Sequence, residues 1–274
     1  MRLCAYCKEP KQLTKEHVFP SALIELFPES KYVYFGQDKI IELGTEKHVV
    51  KDVCQVCNNE RLQELDSIGT NFIKEYFLSK IHPNTNLTVE YDFMALSKWV
   101  MKIIYNSNRQ FKKAAHPWFE ENSKFIVGLN SESSLKYSLF LAFFVDLAPI
   151  SGMYPDKPFE VIMNPTCVLS EKLAPPFDMF LIPQEEFHYL LQIGNAIFLL
   201  IVWNEATSVD EKINLEEEIQ EKFPYSVLSP GNVAAVIARG SDCINCGNMF
   251  LIHGRKRQLA ADLFQKTGFK VNFK

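Results

Sequence analysis

Cys4-Ala5-Tyr6-Cys7, Leu13-Thr14-Lys15-Glu16-His17-Val18-Phe19-Pro20 and Val53-Cys54-Gln55-Val56-Cys57-Asn58-Asn59 are the three stretches on which the reading of this chain turns. Two cysteines three positions apart on a tight turn offer two thiolates to one tetrahedral ion, and two such turns need only meet in space to complete its shell. The 46 residues between Cys7 and Cys54 therefore do not prevent the pairs from sharing one Zn²⁺. Four thiolates leave no open position for a substrate, so a zinc held by Cys4, Cys7, Cys54 and Cys57 is scaffold. It matters energetically because a segment of about 60 residues buries too little core to be secure alone. A closed zinc site contributes on the order of 10 kcal/mol to folding.

Working outward, the 274 residues are 47% hydrophobic and 23% charged, enough apolar material for one large domain or a small module plus a mid-sized one. A net charge of −4 gives no global pull toward a polyanion, so any nucleic-acid surface is expected to be local. The longest apolar runs, such as Ala196 to Trp203, are far shorter than the roughly 20 residues of a membrane helix, which excludes that class of spanning protein. The N-terminus lacks the apolar core of a secretory signal, and a cytoplasmic address is expected. Six of the seven cysteines fall in three Cys-x-x-Cys pairs, which in a reducing compartment favours metal over disulfide.

The third pair, Cys243 and Cys246, has no fourth pair to join. It is compatible with a second zinc completed by Cys167 and His253, with pairing across an interface to a second chain, with a redox role, or with two plain free thiols.

The expected fold class is α+β, an N-terminal zinc-stapled module over residues 1–81 followed by a larger α+β domain with an antiparallel sheet over 82–274. Apolar residues from Leu62 to Phe77 recur near helical spacing, so a helix over Glu60 to Ile81 should leave the second cysteine pair. Residues 82 to 91 read as a turn and short strand, and Asp92 can cap a helix whose core face is Leu96, Val100, Ile103 and Ile104. Strands are expected over Lys124 to Leu129, Tyr137 to Val145, Glu160 to Met163 and Met179 to Ile182. A hairpin of His188 to Ile193 with Ala196 to Trp203 follows, with Gly194-Asn195 supplying the positive φ angles of a two-residue turn. After an acidic segment, Glu205 to Lys222, a terminal helix is expected from about Lys256 to Lys266.

Chemistry concentrates between the first two cysteine pairs. An imidazole can take a proton from water, and an adjacent carboxylate with a carboxamide oxygen can hold a hard ion such as Mg²⁺ against a phosphate. Glu16, His17 and Asn58 are that set, although a lone His beside a Glu in a zinc module is more often structural. In residue type, order and spacing, the three quoted stretches resemble the HNH nucleases of the ββα-metal (His-Me finger) superfamily, in the branch stapled by cysteines. The resemblance covers about a quarter of the chain and implies His17 as general base, with Glu16 and Asn58 holding a catalytic Mg²⁺ or Mn²⁺. Two departures accompany it. The acid before the histidine is often Asp, and here it is the longer Glu16. The middle Asn, usually five residues before the third cysteine, is replaced by Val49, and Asp52 is the nearest substitute.

The function implied is hydrolysis of phosphodiester bonds in DNA, in bacterial or phage defence, with RNA as the other substrate open to the same residues. Arg61 is a candidate phosphate contact. Further candidates lie between Phe93 and Phe119, where Lys98, Lys102, Arg109, Lys112 and Lys113 alternate with aromatics and no acid intervenes. A solvated helix face is the plainer reading of that run. The alternative function is a zinc-stapled nucleic-acid-binding module without catalysis. No membrane partner is expected, and a homo-oligomer stays open.

Overall fold

The computed structural model describes residues 2–26, 32–35, 40–43, 49–78, 87–110, 117–130, 136–143, 146–147, 161–162, 167–170, 184–222 and 225–237. The fold is mixed α+β with antiparallel sheets and a cysteine cluster at its N-terminal end. No helix among these residues is long and apolar enough to cross a membrane.

The first strand, β1 (Leu13–His17), is followed by a single turn, α1 (Ser21–Glu25), and the hairpin β2 (Tyr32–Phe35) and β3 (Ile40–Leu43). β4 (Val49–Cys54) then returns antiparallel to β1, with Leu13 opposite Cys54 and His17 opposite Val49. The register slips between Thr14 and Glu16, so that Lys51 and Asp52 on β4 oppose Lys15 alone. Such a bulge twists the pair and re-aims side chains, and it sits beside the candidate residues. The chain next winds as a π-helix over Cys57–Leu62 and continues as α2 (Gln63–Tyr76), starting earlier and ending sooner than the apolar spacing predicts.

β5 (Leu87–Glu90) precedes α3 (Phe93–Gln110), whose start is capped as expected, the Ala95 N–H donating to Asp92 Oδ1 at 3.0 Å. The expected core face of Leu96, Val100, Ile103 and Ile104 is buried, but so are Ser97, Lys102, Asn106 and Asn108 on other faces. α3 is thus an internal helix, packed on α2 on one side and on the sheet on another.

Two short helices follow, α4 (Pro117–Glu121) and α5 (Ser123–Ile126). The second corrects the strand expected over Lys124 to Leu129. Its C-terminus closes by Gly128 N–H to Phe125 O at 2.9 Å and Leu129 N–H to Lys124 O at 2.8 Å, with Gly128 at φ +68°. This paired pattern ends a helix and needs a residue tolerant of the left-handed region, which is why the glycine stands there.

The main sheet has the order β12-β6-β11-β10-β9, built from β6 (Tyr137–Phe143), β9 (Cys167–Ser170), β10 (Glu185–Ile193), β11 (Ala196–Trp203) and β12 (Ser226–Leu228). Every pairing in it is antiparallel. The β10–β11 hairpin forms as expected, but only Gly194 takes a positive φ, +55°, and Asn195 does not. One glycine at the first turn position is what a type II′ turn requires.

β6 and β11 are buried on both faces. Leu139, Leu141, Phe198 and Leu200 join the core under α2 and α3, while Phe140, Leu199, Ile201 and Trp203 join a second cluster with Ile219. That second face is covered by α6 (Val209–Lys222), the acidic segment of the sequence. Double burial explains the unbroken apolar run of β11, where a half-exposed strand would alternate.

Two further strand pairs, β7 (Asp146–Leu147) with β8 (Val161–Ile162) and β5 with β13 (Ala234–Ile237), complete the described elements. β8 lies within the strand expected over Glu160 to Met163, β6 answers the strand expected over Tyr137 to Val145, and β7 falls outside both expected spans. The strand expected over Met179 to Ile182, the terminal helix, Cys243, Cys246 and His253 lie outside the described residues. One apolar cluster includes Cys4, Phe72, Trp99 and Phe198, so the core runs across residue 82 without a break.

Candidate metal centre and the residues around it

Each half of the cysteine cluster is set by a local turn. In the first, the Lys8 N–H donates to Cys4 O at 3.0 Å and the Cys4 N–H to Glu9 O at 2.9 Å, with Lys8 in the left-handed region at φ +62°. In the second, Cys54 ends β4 and Cys57 opens the π-helix. The halves are joined by the Ala5 N–H, which donates to Asp52 O at 2.8 Å.

All four thiols are buried and unoxidised, and their sulfurs lie within 4.8 Å of one another. Cys7 Sγ and Cys54 Sγ are 3.8 Å apart. A tetrahedron with metal–sulfur bonds of about 2.3 Å has edges of about 3.8 Å, so the set fits a zinc ion. The Cys54 N–H donates to Cys4 Sγ at 3.3 Å, the kind of outer bond that orients a ligand and stabilises its thiolate. A hydrogen bond from Cys57, helped by the N–H groups of Cys54, Cys7 and Tyr6, brings the Cys4 thiol down to about 4. The thiolate so formed pushes Cys57 up, while burial pushes Cys7 up. One charge is easy to place in this cluster and the next is not, which is the situation a divalent cation relieves. Sequence spacing and geometry agree here, and the four cysteines are able to hold one metal ion such as zinc.

α3 fastens this end of the molecule. Tyr6 Oη donates to Asn106 Oδ1 at 2.6 Å, Tyr105 Oη to Ala5 O at 3.3 Å, and Asn106 Nδ2 to His17 O at 3.2 Å. Beside them, the Arg109 guanidinium lies 3.9 Å from the Tyr105 ring centre and 5.1 Å from that of Tyr6.

Three of the candidate residues meet at β1. Asn58 Nδ2 donates to Lys15 O and to Thr14 Oγ1, both at 2.8 Å, which ties the first turn of the helix to the strand carrying Glu16 and His17. Adjacent strand residues face opposite ways. His17 is half-exposed, with Nδ1 3.3 Å from Ser21 Oγ, whereas Glu16 is buried. The carboxylate of Glu16 lies 2.7 Å from Lys102 Nζ, and Lys102 is wholly buried. Glu16 therefore does not fit the role of ligand to a divalent ion in this arrangement, because an ammonium already stands against it. Asn58 keeps its amide oxygen as the end not used toward β1.

The other candidates are placed differently from the sequence expectation. Asp52 does not brace the His17 end of β1: its carboxylate pairs with Arg109, Oδ2 to Nε at 3.1 Å. Val49, in the place of the middle Asn, stands directly across from His17.

Arg61 donates Nη1 to Val127 O at 2.9 Å, and Lys98 lies 4.9 Å from the Phe125 ring centre, so both are engaged by α5 and its exit turn. Lys102 and Arg109 are corrected as phosphate contacts, since their side chains are 0% and 9% exposed and held by carboxylates. Trp99, Tyr105 and Trp118 are core residues. Over its described part, the run is thus neither a stacking surface nor a solvated face, because the interior position of α3 engages Lys98, Lys102 and Arg109 within the protein. Lys112 and Lys113 lie outside the described residues.

Asp66 is the residue that sequence reading missed. From α2 it places Oδ1 and Oδ2 each 3.0 Å from Lys102 Nζ. Burial raises its carboxyl to about 6 against the pull of Lys102. Its one sequence signal is an acid among the apolar positions of α2. Comparison of the chain with family models, curated proteins and solved structures gives no match.

Proposed function

We propose that this chain is a zinc-stapled phosphodiester hydrolase of the HNH kind acting on DNA, with His17 as the group that takes a proton from the attacking water. The observation that supports it best is the junction of Asn58 with Lys15 O at 2.8 Å. It joins strand, strand and helix into one ββα unit with His17 at the strand end and Asn58 on the first helical turn. Ser21 Oγ can orient the imidazole through Nδ1, leaving Nε2 as the proton acceptor. The part of the zinc in this reading is to hold β1, β4 and the helix together.

A divalent ion such as Mg²⁺ or Mn²⁺ supplies charge for the phosphate and leaving oxygen in such reactions. On this geometry Asn58, and not Glu16, is the residue offered to it. The pairing of Glu16 with Lys102 favours a second reading, a zinc-stapled nucleic-acid-binding module without catalysis.

Nicking of supercoiled plasmid by zinc-replete protein, with and without Mg²⁺ or Mn²⁺, separates the two, and a single-stranded RNA substrate run in parallel tests the choice of DNA. The hydrolase reading expects metal-dependent nicking that falls roughly 10²-fold or more in His17→Ala with zinc retained. No cleavage, or equal cleavage by both proteins, leaves the binding module.

A further inference from the structure

Lys102, on α3, is the most completely enclosed charge among the described residues, and two other elements converge on it. Its Nζ lies 2.7 Å from Glu16 Oε1 on β1, 3.0 Å from both Asp66 oxygens on α2, and 3.0 Å from the main-chain oxygen of His17. Val18 O stands 3.5 Å away. An ammonium is tolerated inside a protein only when carboxylates and acceptors replace its water. Here two carboxylates and a carbonyl do so, and none of these contacts is local in sequence.

We infer that Lys102 is a positioning residue that clamps the His17 end of β1 to α3, with Glu16 and Asp66 as its counter-ions, so that Glu16 is not a ligand of a catalytic ion. The clamp has two prongs on one peptide, since Asn106 Nδ2 also donates to His17 O at 3.2 Å. With the imidazole steadied by Ser21, His17 is then held at main chain and side chain alike. Glu16 is only 7% exposed in its side chain, and Lys102 would repel a second cation from the same oxygen. The candidate site is in this sense incomplete without α3, although His17 and Asn58 lie upstream of residue 82. The role given to His17 rests on the hydrolase reading; the clamp itself does not.

The test uses the full zinc-loaded chain, with Glu16→Gln, Lys102→Met, and the charge-neutral Glu16→Gln/Asp66→Asn/Lys102→Met. The triple variant is included because Lys102→Met alone strands two buried carboxylates and can fail to fold. Two quantities are read: the Mn²⁺ concentration giving half-maximal plasmid nicking, and the number and width of the His17 imidazole ¹H–¹⁵N signals. Glu16→Gln is expected to keep the Mn²⁺ midpoint within about twofold of wild type, where a lost ligand shifts it roughly tenfold or more. The triple variant is expected to keep its zinc, lose roughly tenfold or more in turnover at saturating Mn²⁺, and show His17 signals that split or broaden.

A tenfold shift of the midpoint in Glu16→Gln would overturn the counter-ion assignment. A triple variant with wild-type turnover and one sharp His17 signal would overturn the clamp. If the wild-type protein nicks nothing, the hydrolase reading falls by itself, and the His17 signals still decide the clamp.

Discussion

The cysteine-bearing end and the five-stranded sheet hold their chains together by opposite means. Around β1, β4 and the π-helix, order comes from a few strong, directional interactions: four thiols within 4.8 Å, one buried ammonium between two carboxylates, and an amide clasping a strand. In the sheet it comes from many weak ones, with β6 and β11 buried on both faces and α6 closing the second. Few strong contacts make a region that one change can dismantle, whereas a doubly buried sheet loses stability residue by residue. α3 belongs to both, since it carries Lys102 and Asn106 toward His17 and Trp99 toward Phe198.

The largest expected effect follows from emptying or breaking the cysteine cluster, which is able to hold a zinc ion. Chelation, or Cys54→Ser, should withdraw stabilisation on the order of 10 kcal/mol from the cysteine end. Hydrogen exchange followed by mass spectrometry should then show protection falling across β1, β4 and the π-helix while β6, β10 and β11 keep theirs. Simultaneous loss in the sheet would break the contrast and make the molecule one cooperative unit, as its continuous apolar cluster would allow.

Next comes the seam between α2 and α3. A Cβ on Gly69 would stand 2.1 Å from the Trp99 ring, so Gly69→Ala must drive the helices apart. A loss of roughly 3 kcal/mol is expected in a urea melt of the zinc-loaded protein, and an unchanged midpoint would show that α2 is free to move against α3. A smaller effect belongs to the sheet side, where Ser208 caps α6. The Ser208 N–H donates to Glu211 Oε2 at 2.8 Å and the Glu211 N–H to Ser208 Oγ at 3.2 Å. Ser208→Ala should cost about 1 kcal/mol, leave zinc content untouched, and unprotect α6 first.

A last effect concerns pH. Burial raises Asp66 from 3.8 to about 6, so the folded chain holds a proton there that the unfolded chain has released. Stability contributed by this group is therefore full below about pH 4 and declines as pH rises to about 6. Melts of wild type and Asp66→Asn across that window should differ in slope, the variant being flatter. Equal slopes would mean that Lys102 holds Asp66 ionised throughout.

Parts of this picture were legible in advance for local reasons. A Cys-x-x-Cys turn presents two thiols whatever follows it, and the pairing of Cys4/Cys7 with Cys54/Cys57 in one cluster matches the spacing argument. The hairpin of β10 and β11 and the capped start of α3 were equally plain, because Gly194 and Asp92 act on their immediate neighbours. The helix at Ser123 was lost because four residues with two apolar side chains fit either period, although Gly128 carried a helix-stop signal. Ser208 and Glu211 form a capping box that the acidic composition of the segment concealed.

The cysteine cluster, the α+β class and the juxtaposition of an acid and an imidazole at the end of one strand are written in the order of the residues. Each follows from spacings of a few residues, where turn geometry and strand or helix period leave little choice. Which partners those groups meet is set by packing. Lys102 reads in sequence as a cation of a basic stretch, and in the folded chain it is the buried partner of Asp66 and of His17 O, 36 and 85 residues away. The same packing sets Glu16 against an ammonium. A charged side chain inside a protein takes its state from whatever replaces its water, and those neighbours are assembled by contacts that no local pattern encodes.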